Sequence, residues 1–399
     1  MPAVTGAGLV TACGLGLEPL AAALAAGTPP RSPIDRLAEV PPRADSASTA
    51  SLVGRPEWEE WLAARAARRM SPPSIYAVVA ARMALADAGL PLPEAPDPDC
   101  GVLLATSFGA SSFTQRMLDQ ILDEGPESIS PFLFMESVAN APAGQVAIHA
   151  RAGGPNVTVC QREAGPVAAL GRAAAEVAAG RAARALAGAA EEMTPLLFTA
   201  LDRFAAVADV ARPFDRRRRG FLAAEGATVL LVEAEAAAVE RGARVHARVA
   251  AWGGAFDPTA PRADWGRGGA ALAASIERGM ARRGLAPGDV DLVVSGASGA
   301  RRGDRLEAEL LTALFAGEPP PVLAPKGVTG EYGGAYLAAA LPALAGGAFA
   351  ATAGFEQADE ALGVVPHDGS PLPAVRRVLV TGLAAGGAAY WVILEAPNA

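Results

Sequence analysis

Apolar strand-like runs alternate with alanine-rich helical stretches along nearly the whole chain, and the series runs twice. In the first series the strand-like segments are Ala3–Ala12, Gly101–Thr106, Val157–Cys160, Arg184–Ala189 and Ala227–Glu233. The helical ones are Glu59–Arg69, Ile75–Ala88, Ser112–Leu122 and Pro166–Ala179. After a break near residue 240 follow strand Val245–Trp252, helix Gly269–Arg283, strand Val290–Ser295, helices Arg305–Phe315 and Tyr332–Leu344, and closing strands Arg377–Thr381 and Ala389–Leu394. Strands separated by helices predict an α/β fold. The strands are apolar throughout rather than alternating, so the sheet is expected to carry helices on both faces. The similar order of the two series suggests an internal duplication, with halves at 1–240 and 241–399. The Pro- and Ser-rich stretch Pro29–Ser51 and the segment Gly354–Pro373 read as irregular connections suited to the rim of a cleft.

At 399 residues and 51% hydrophobic, the chain is long enough to bury roughly 75% of its unfolded surface. Net charge is −8, and no basic run is long enough to track a nucleic-acid backbone. The richest, "DRRRRGF" at Asp215–Phe221, reads as a structural loop, with docking of an acidic carrier protein as the second reading. Cys13, Cys100 and Cys160 lack metal or disulfide spacing, and His149, His246 and His367 are equally scattered. No metal or cofactor is expected. The apolar N-terminus lacks the basic start of a signal peptide, and no uncharged apolar run spans a membrane, so a soluble cytoplasmic protein is expected. Lys326 is the single lysine among 34 basic residues. Either it survives by chance in an arginine-biased sequence, or its site needs a compact ammonium.

The stretch "NVTVCQREAGPVAALGRAAAEVAAG" from Asn156 to Gly180 runs from a strand into a long helix, with Cys160 at the strand's end. A helix N-terminus stabilises a thiolate, which makes Cys160 the first candidate nucleophile. The competing reading is a packed cysteine acting as a small hydrophobe.

Several segments taken together resemble the β-ketoacyl-acyl-carrier-protein synthases of the thiolase fold. They are "VTGAGLVTACGLGLEPLAAALAAG", "RRMSPPSIYAVVAARMALADAGL", "SPFLFMESVANAPAGQVAIHARAGGPNVTV", "ARPFDRRRRGFLAAEGATVLLVE", "GDRLEAELLTALF" and "APKGVTGE". The resemblance covers nearly the whole chain and implies two duplicated halves in a five-layer αβαβα sandwich. It also implies a catalytic cysteine and two histidines, and here the three positions carry Glu163, Gly296 and Glu331. By the same match Cys160 lies upstream of the nucleophile position and is expected to be packed. Lys326, Asp304 and Glu307 match positions that the family uses around its site, and Phe221 with Glu225 keeps the nearby loop recognisable. Lys326 is expected to sit between Glu331 and Glu163, and Glu163 to fill the former oxyanion hole, leaving the pocket plugged.

That pattern is similar to the chain-length factors of type II polyketide synthases, which lack the cysteine and pair with an active ketosynthase as a heterodimer. Their turn commonly reads "EQAGG", where this chain has "REAGP". A carboxylate in place of that glutamine would repel a malonyl carboxylate, which speaks against a decarboxylase role. The resemblance implies an active ketosynthase partner, bound through Val157–Cys160 and flanking helices, a transient acyl carrier protein, and a tunnel gate at Ser111, Thr114 and Leu118, with Phe113 and Met117 nearby. Ordinary packing of an amphipathic helix is the other reading of that stretch. Two further functions stay open: a stand-alone decarboxylase or thioester hydrolase using Glu163 with Lys326, and a degenerate homodimeric scaffold.

Overall fold

The computed structural model describes residues 1–54 and 58–397. Its strands are β1 (Pro2–Thr11), β2 (Cys100–Ala105), β3 (Asn156–Val159), β4 (Arg184–Glu191), β5 (Gly226–Ala234), β6 (Ala247–Phe256), β7 (Leu292–Val294), β8 (Val322–Leu323), β9 (Arg377–Leu383) and β10 (Ala388–Glu395). With a short return at Gly14–Leu15 they form one eleven-stranded sheet in the order β8-β7-β9-β10-β6-β1-β5-β4-β2-β3. From β1 outward the pairings run antiparallel to β5, antiparallel to β4, then parallel to β2 and β3. From β6 outward the same sequence recurs through β10, β9, β7 and β8. The duplication is therefore written in the topology, with the halves joined where Ala3 and Val4 pair with Arg248 and Ala247.

The main helices are α1 (Leu17–Ala26), α2 (Pro72–Asp87), α3 (Ser111–Glu124), α4 (Pro131–Ser137), α5 (Ala141–Ala150), α6 (Gly165–Ala178), α7 (Gly269–Ala281) and α8 (Arg301–Leu314). Successive strand residues face opposite sides, and both sides are apolar. In the first half Leu103, Leu230 and Val232 point into a central core with α6, while Val102, Leu104, Val229 and Leu231 point into an outer core with α2 and α5. In the second half Leu292, Val294, Val378 and Val380 share the central core, while Val293, Leu379 and Ile393 pack outward on α7 and α8. Two outer helical layers, two half-sheets and one helical layer between them make the αβαβα sandwich. Close layer packing depends on small residues. A Cβ at Gly6 or Gly8 of β1 would stand 2.0 Å or 1.9 Å from a carbonyl oxygen of α2.

Two expected helices need correction. Glu59–Arg69 contains only the single helical turn Ala64–Ala67, which lacks a side-chain cap. Trp58, Trp61 and Leu62 instead pack into the outer core, and this tertiary contact overrides the helix propensity of the alanines. Tyr332–Leu344 is split into Ala335–Ala338 and Ala340–Leu344. Positive φ at Tyr332, Gly333 and Gly334 keeps the chain out of the right-handed helix until Ala335. The arginine run folds as a structural loop: Arg212 and Arg217 pair with Glu356, and Arg218 pairs with Asp359 at 2.6 Å. Among the described residues no helix is long and apolar enough to cross a membrane.

Candidate functional site

The expected site residues gather at the carboxyl ends of the parallel strands, where open α/β sheets place their crevices. Glu163 follows β3 in the turn Arg162–Ala164 that leads into α6, and Arg162 takes a left-handed φ of 47° there. Lys326 opens the short helix Lys326–Thr329 after β8, Glu331 follows that helix, and Gly296 follows β7.

Glu163 and Lys326 do not meet as expected. Lys326 Nζ donates to Glu331 Oε1 at 2.6 Å, both side chains are buried, and the ammonium lies 4.4 Å from the Tyr336 ring centre. Glu163 turns to the backbone instead. Ala385 N–H donates to Glu163 Oε2 at 3.3 Å. A backbone N–H directed at an oxygen is one part of the arrangement that stabilises an oxyanion in acyl transfer. The adjoining helix N-terminus adds roughly 0.3–1 kcal/mol for an anion. Burial nevertheless pushes the Glu163 pKa up to about 7, and the Glu331 charge adds to the rise. The backbone donors and Lys326 pull it back.

Around Glu163 stand Thr106, Arg162, Glu191, Tyr332 and Tyr336, and the space left among them is about 10 Å³. That is room for about one water. Tyr332 closes it with edge-on contacts to Phe108 and Phe221, at centroid separations of 5.1 Å and 5.6 Å. At Gly296 a Cβ would stand 3.0 Å from Thr381 O, so a larger side chain there would need a shift. Asp304 and Glu307 brace the surrounding loops. Asp304 accepts from the backbone N–H groups of Phe214 at 2.8 Å, Ser298 at 3.0 Å and Gly299 at 3.1 Å. Burial raises its pKa to about 6. Glu307 accepts from Ser295 Oγ at 3.0 Å and from the Thr381 hydroxyl.

Cys160, expected to be packed, is exposed. Among the described residues β3 is bonded on one side only, as the last strand of the sheet, and Cys160 follows it. The thiol lines a surface groove of about 430 Å³ with Arg172, Trp252 and Tyr390, separate from the space around Glu163.

The expected gate residues all lie on α3, which has no fully buried residue. Ser111 Oγ is 3.1 Å from Thr194 Oγ1, and Thr114 Oγ1 donates to Ala110 O at 3.0 Å. Met117 Sδ accepts from Ser137 Oγ at 3.8 Å. Leu118 is 48% and Leu122 82% exposed. Phe113 stacks with Arg116 and lines an outer groove with Arg68 and Arg69. Close by, Phe132, Phe134, Met135 and Ile148 on α4 and α5 are more than half exposed. Sequence reasoning missed the buried acids Glu191 and Glu192, which hold the start of α3. Their signal is a pair of carboxylates directly after an apolar strand.

Comparison with known proteins follows the same geometry. The description "Beta-ketoacyl synthase, N-terminal domain" matches residues 3–238, and "Beta-ketoacyl synthase, C-terminal domain" matches residues 246–356. The actinorhodin polyketide β-ketoacyl synthase 2 of Streptomyces coelicolor is 30% identical over 95% of both chains. The ketoacyl synthase β subunit of the tetracenomycin polyketide synthase of Streptomyces glaucescens is 32% identical, over 84% of this chain and 82% of the relative. Among solved structures the ishigamide ketosynthase/chain length factor superposes with a TM-score of 0.89 at 28% identity, covering 99% of this chain and 98% of the other. A type II polyketide acyl carrier protein complexed with its ketosynthase gives a TM-score of 0.87 at 20% identity, covering 99% of both chains, and supports the fold alone. From β1 to β10, in a thiolase-like fold, the chain belongs to the β-ketoacyl synthase family.

Proposed function

We propose that this chain is the non-catalytic, chain-length-determining subunit of a two-subunit type II polyketide ketosynthase of the cytoplasm. The observation that carries this reading is Glu163: its carboxylate takes the Ala385 N–H at the turn before α6, in a space with room for about one water. The turn offers no thiol to acylate, and no imidazole stands at Gly296 or Glu331 to stabilise a carbanion. Condensation then belongs to a partner ketosynthase. Its cysteine carries the growing acyl chain, malonyl on the acyl carrier protein loses CO2, and the resulting carbanion attacks the acyl thioester and displaces the cysteine thiolate.

Support for pairing comes from the surface. The outer edge of β3 and the exposed apolar side chains of α3, α4 and α5 fit a partner that adds a strand and covers those helices. The named relatives support it too, since one is a β subunit and another a ketosynthase/chain length factor. On this reading residues 1–240 and 241–399 are two ketosynthase-like halves, and α3 closes the far end of a tunnel that begins in the partner. The test is Glu163→Ala in the reconstituted pair: condensation stays within about threefold of wild type, since the residue makes no transition-state contact. Near-total loss in a folded, paired variant would overturn the reading. Turnover of malonyl-carrier by the isolated chain would favour the decarboxylase or hydrolase instead.

A further inference from the structure

The helix that carries the proposed gate is held from outside itself. Its cap position is Ala110, which has no side chain able to bond the free N–H groups, and the helix buries no residue fully. What holds its start is the pair of acids at the end of β4. Glu192 Oε1 accepts from Ser112 N at 2.8 Å, from Ser112 Oγ at 3.0 Å and from Ser111 Oγ at 3.4 Å. Glu191 accepts from Ser107 N at 2.6 Å, from Thr106 Oγ1 at 3.1 Å and from Phe108 N at 3.2 Å. The Thr106 hydroxyl accepts in turn from Gly109 N at 2.9 Å. The segment from the end of β2 to the first turn of α3 is therefore fastened to two neighbouring carboxylates.

Both acids are 2% exposed, and Glu225 lies close enough for the Glu192 charge to raise its pKa. Burying several carboxylates together is unfavourable unless each is well supplied with donors. Glu225 takes its donors from Val53, Tyr76 and Met193, but the side-chain bonds of Glu191 and Glu192 named above all come from this one segment, so the favourable part of their arrangement depends on where α3 starts. A shift of α3 along its axis by one residue, about 1.5 Å, would break the Ser112 bonds.

We propose that Glu192 is a positioning residue for chain-length selection: acting as an external cap, it fixes the axial place of α3 and so the depth at which Ser111, Thr114 and Leu118 meet the growing chain. This rests on the chain-length reading above. Glu192 touches neither substrate nor the Glu163 space. Its effect reaches the product only through the helix.

The experiment compares Glu192→Ala and Glu192→Gln, each purified with an active ketosynthase and supplied with malonyl-loaded acyl carrier protein. Product lengths are read by mass spectrometry, and amide hydrogen exchange of residues 111–115 is read on the same preparations. Glu192→Gln keeps an acceptor oxygen for Ser112 N–H and retains the wild-type length distribution. Glu192→Ala exchanges those amides about fivefold faster, the equivalent of losing a cap, and moves the major product by at least one extension unit. If Glu192→Ala does not fold, Ser112→Ala, which removes one of the bonds to Glu192, gives a smaller shift in the same direction. An unchanged length distribution despite faster exchange overturns the proposal, as does an equal loss of rate at every length. If wild type forms no pair with the ketosynthase, it is the chain-length reading that fails, and unchanged exchange in Glu192→Ala would separately refute the anchoring.

Discussion

Lys326 is the only lysine of the chain, is 1% exposed, and makes its ion pair at 2.6 Å inside the site. An ammonium that donates to Glu331 while lying over the Tyr336 ring uses a compact charge that a planar guanidinium would not match in shape. Removing one member of a buried pair leaves the other charged and unpartnered. Lys326→Met should therefore lower stability by about 3–5 kcal/mol in denaturant unfolding, while Lys326→Met with Glu331→Leu should recover most of the loss. Equal stability of the single and double variants would show that the pair contributes little. Sequence reasoning singled out Lys326, Glu331 and Glu163, and of these Lys326 and Glu331 pair while Glu163 bonds the backbone. It paired Lys326 with both acids because spacing cannot say which carboxylate reaches the ammonium and which turns to the backbone. That choice is made by the Ala385 N–H, which approaches from the turn between β9 and β10, 222 residues further along the chain.

At the scale of elements, the strands were the most legible feature, because a buried sheet makes each one a continuous apolar run. The reading of Cys160 as packed went astray for the same reason. An apolar run marks a strand but does not separate an interior strand from the last one, and β3 is the last. The split after Tyr332 was hidden because alanines favour helix while positive φ at the neighbouring glycines breaks it. Closeness of β1 to α2 yields a sharp prediction. Gly8→Ala would place a Cβ 1.9 Å from Ala80 O, a backbone atom that cannot rotate away. Such overpacking should lower stability by about 3 kcal/mol, whereas Gly180→Ala, with open space beside it but φ 66°, should cost only about 1 kcal/mol. Thermal melts of the two variants check this, and equal losses would mean that the layers slide apart freely. On α3, Ser111→Phe places a ring where a hydroxyl now meets Thr194. The reconstituted pair should then release shorter products, and an unchanged length distribution would remove Ser111 from the gate.

The whole molecule carries an unusual load of buried acid. Burial raises the pKa of Asp304 to about 6, of Glu163 and Glu225 to about 7 and of Glu191 to about 8. A carboxyl raised on folding binds its proton more tightly in the native state, so its contribution is full below the ordinary carboxylate range and is lost as pH rises through the folded value. Asp202, Asp209, Asp215 and Asp257 are instead held low despite burial by their hydrogen-bond donors, and their contribution is lost only as pH falls through the acid range. The melting temperature should therefore fall between about pH 5.5 and pH 8.5, and Glu191→Gln should flatten that slope. A melting temperature that rises over the same interval would contradict the burial of these groups in protonated form. The central claim concerns what this molecule joins. Native mass spectrometry of the chain alone, and then mixed with an active type II ketosynthase, tests it most directly: the account predicts a 1:1 heterodimer, and a stable homodimer that ignores the ketosynthase would contradict it.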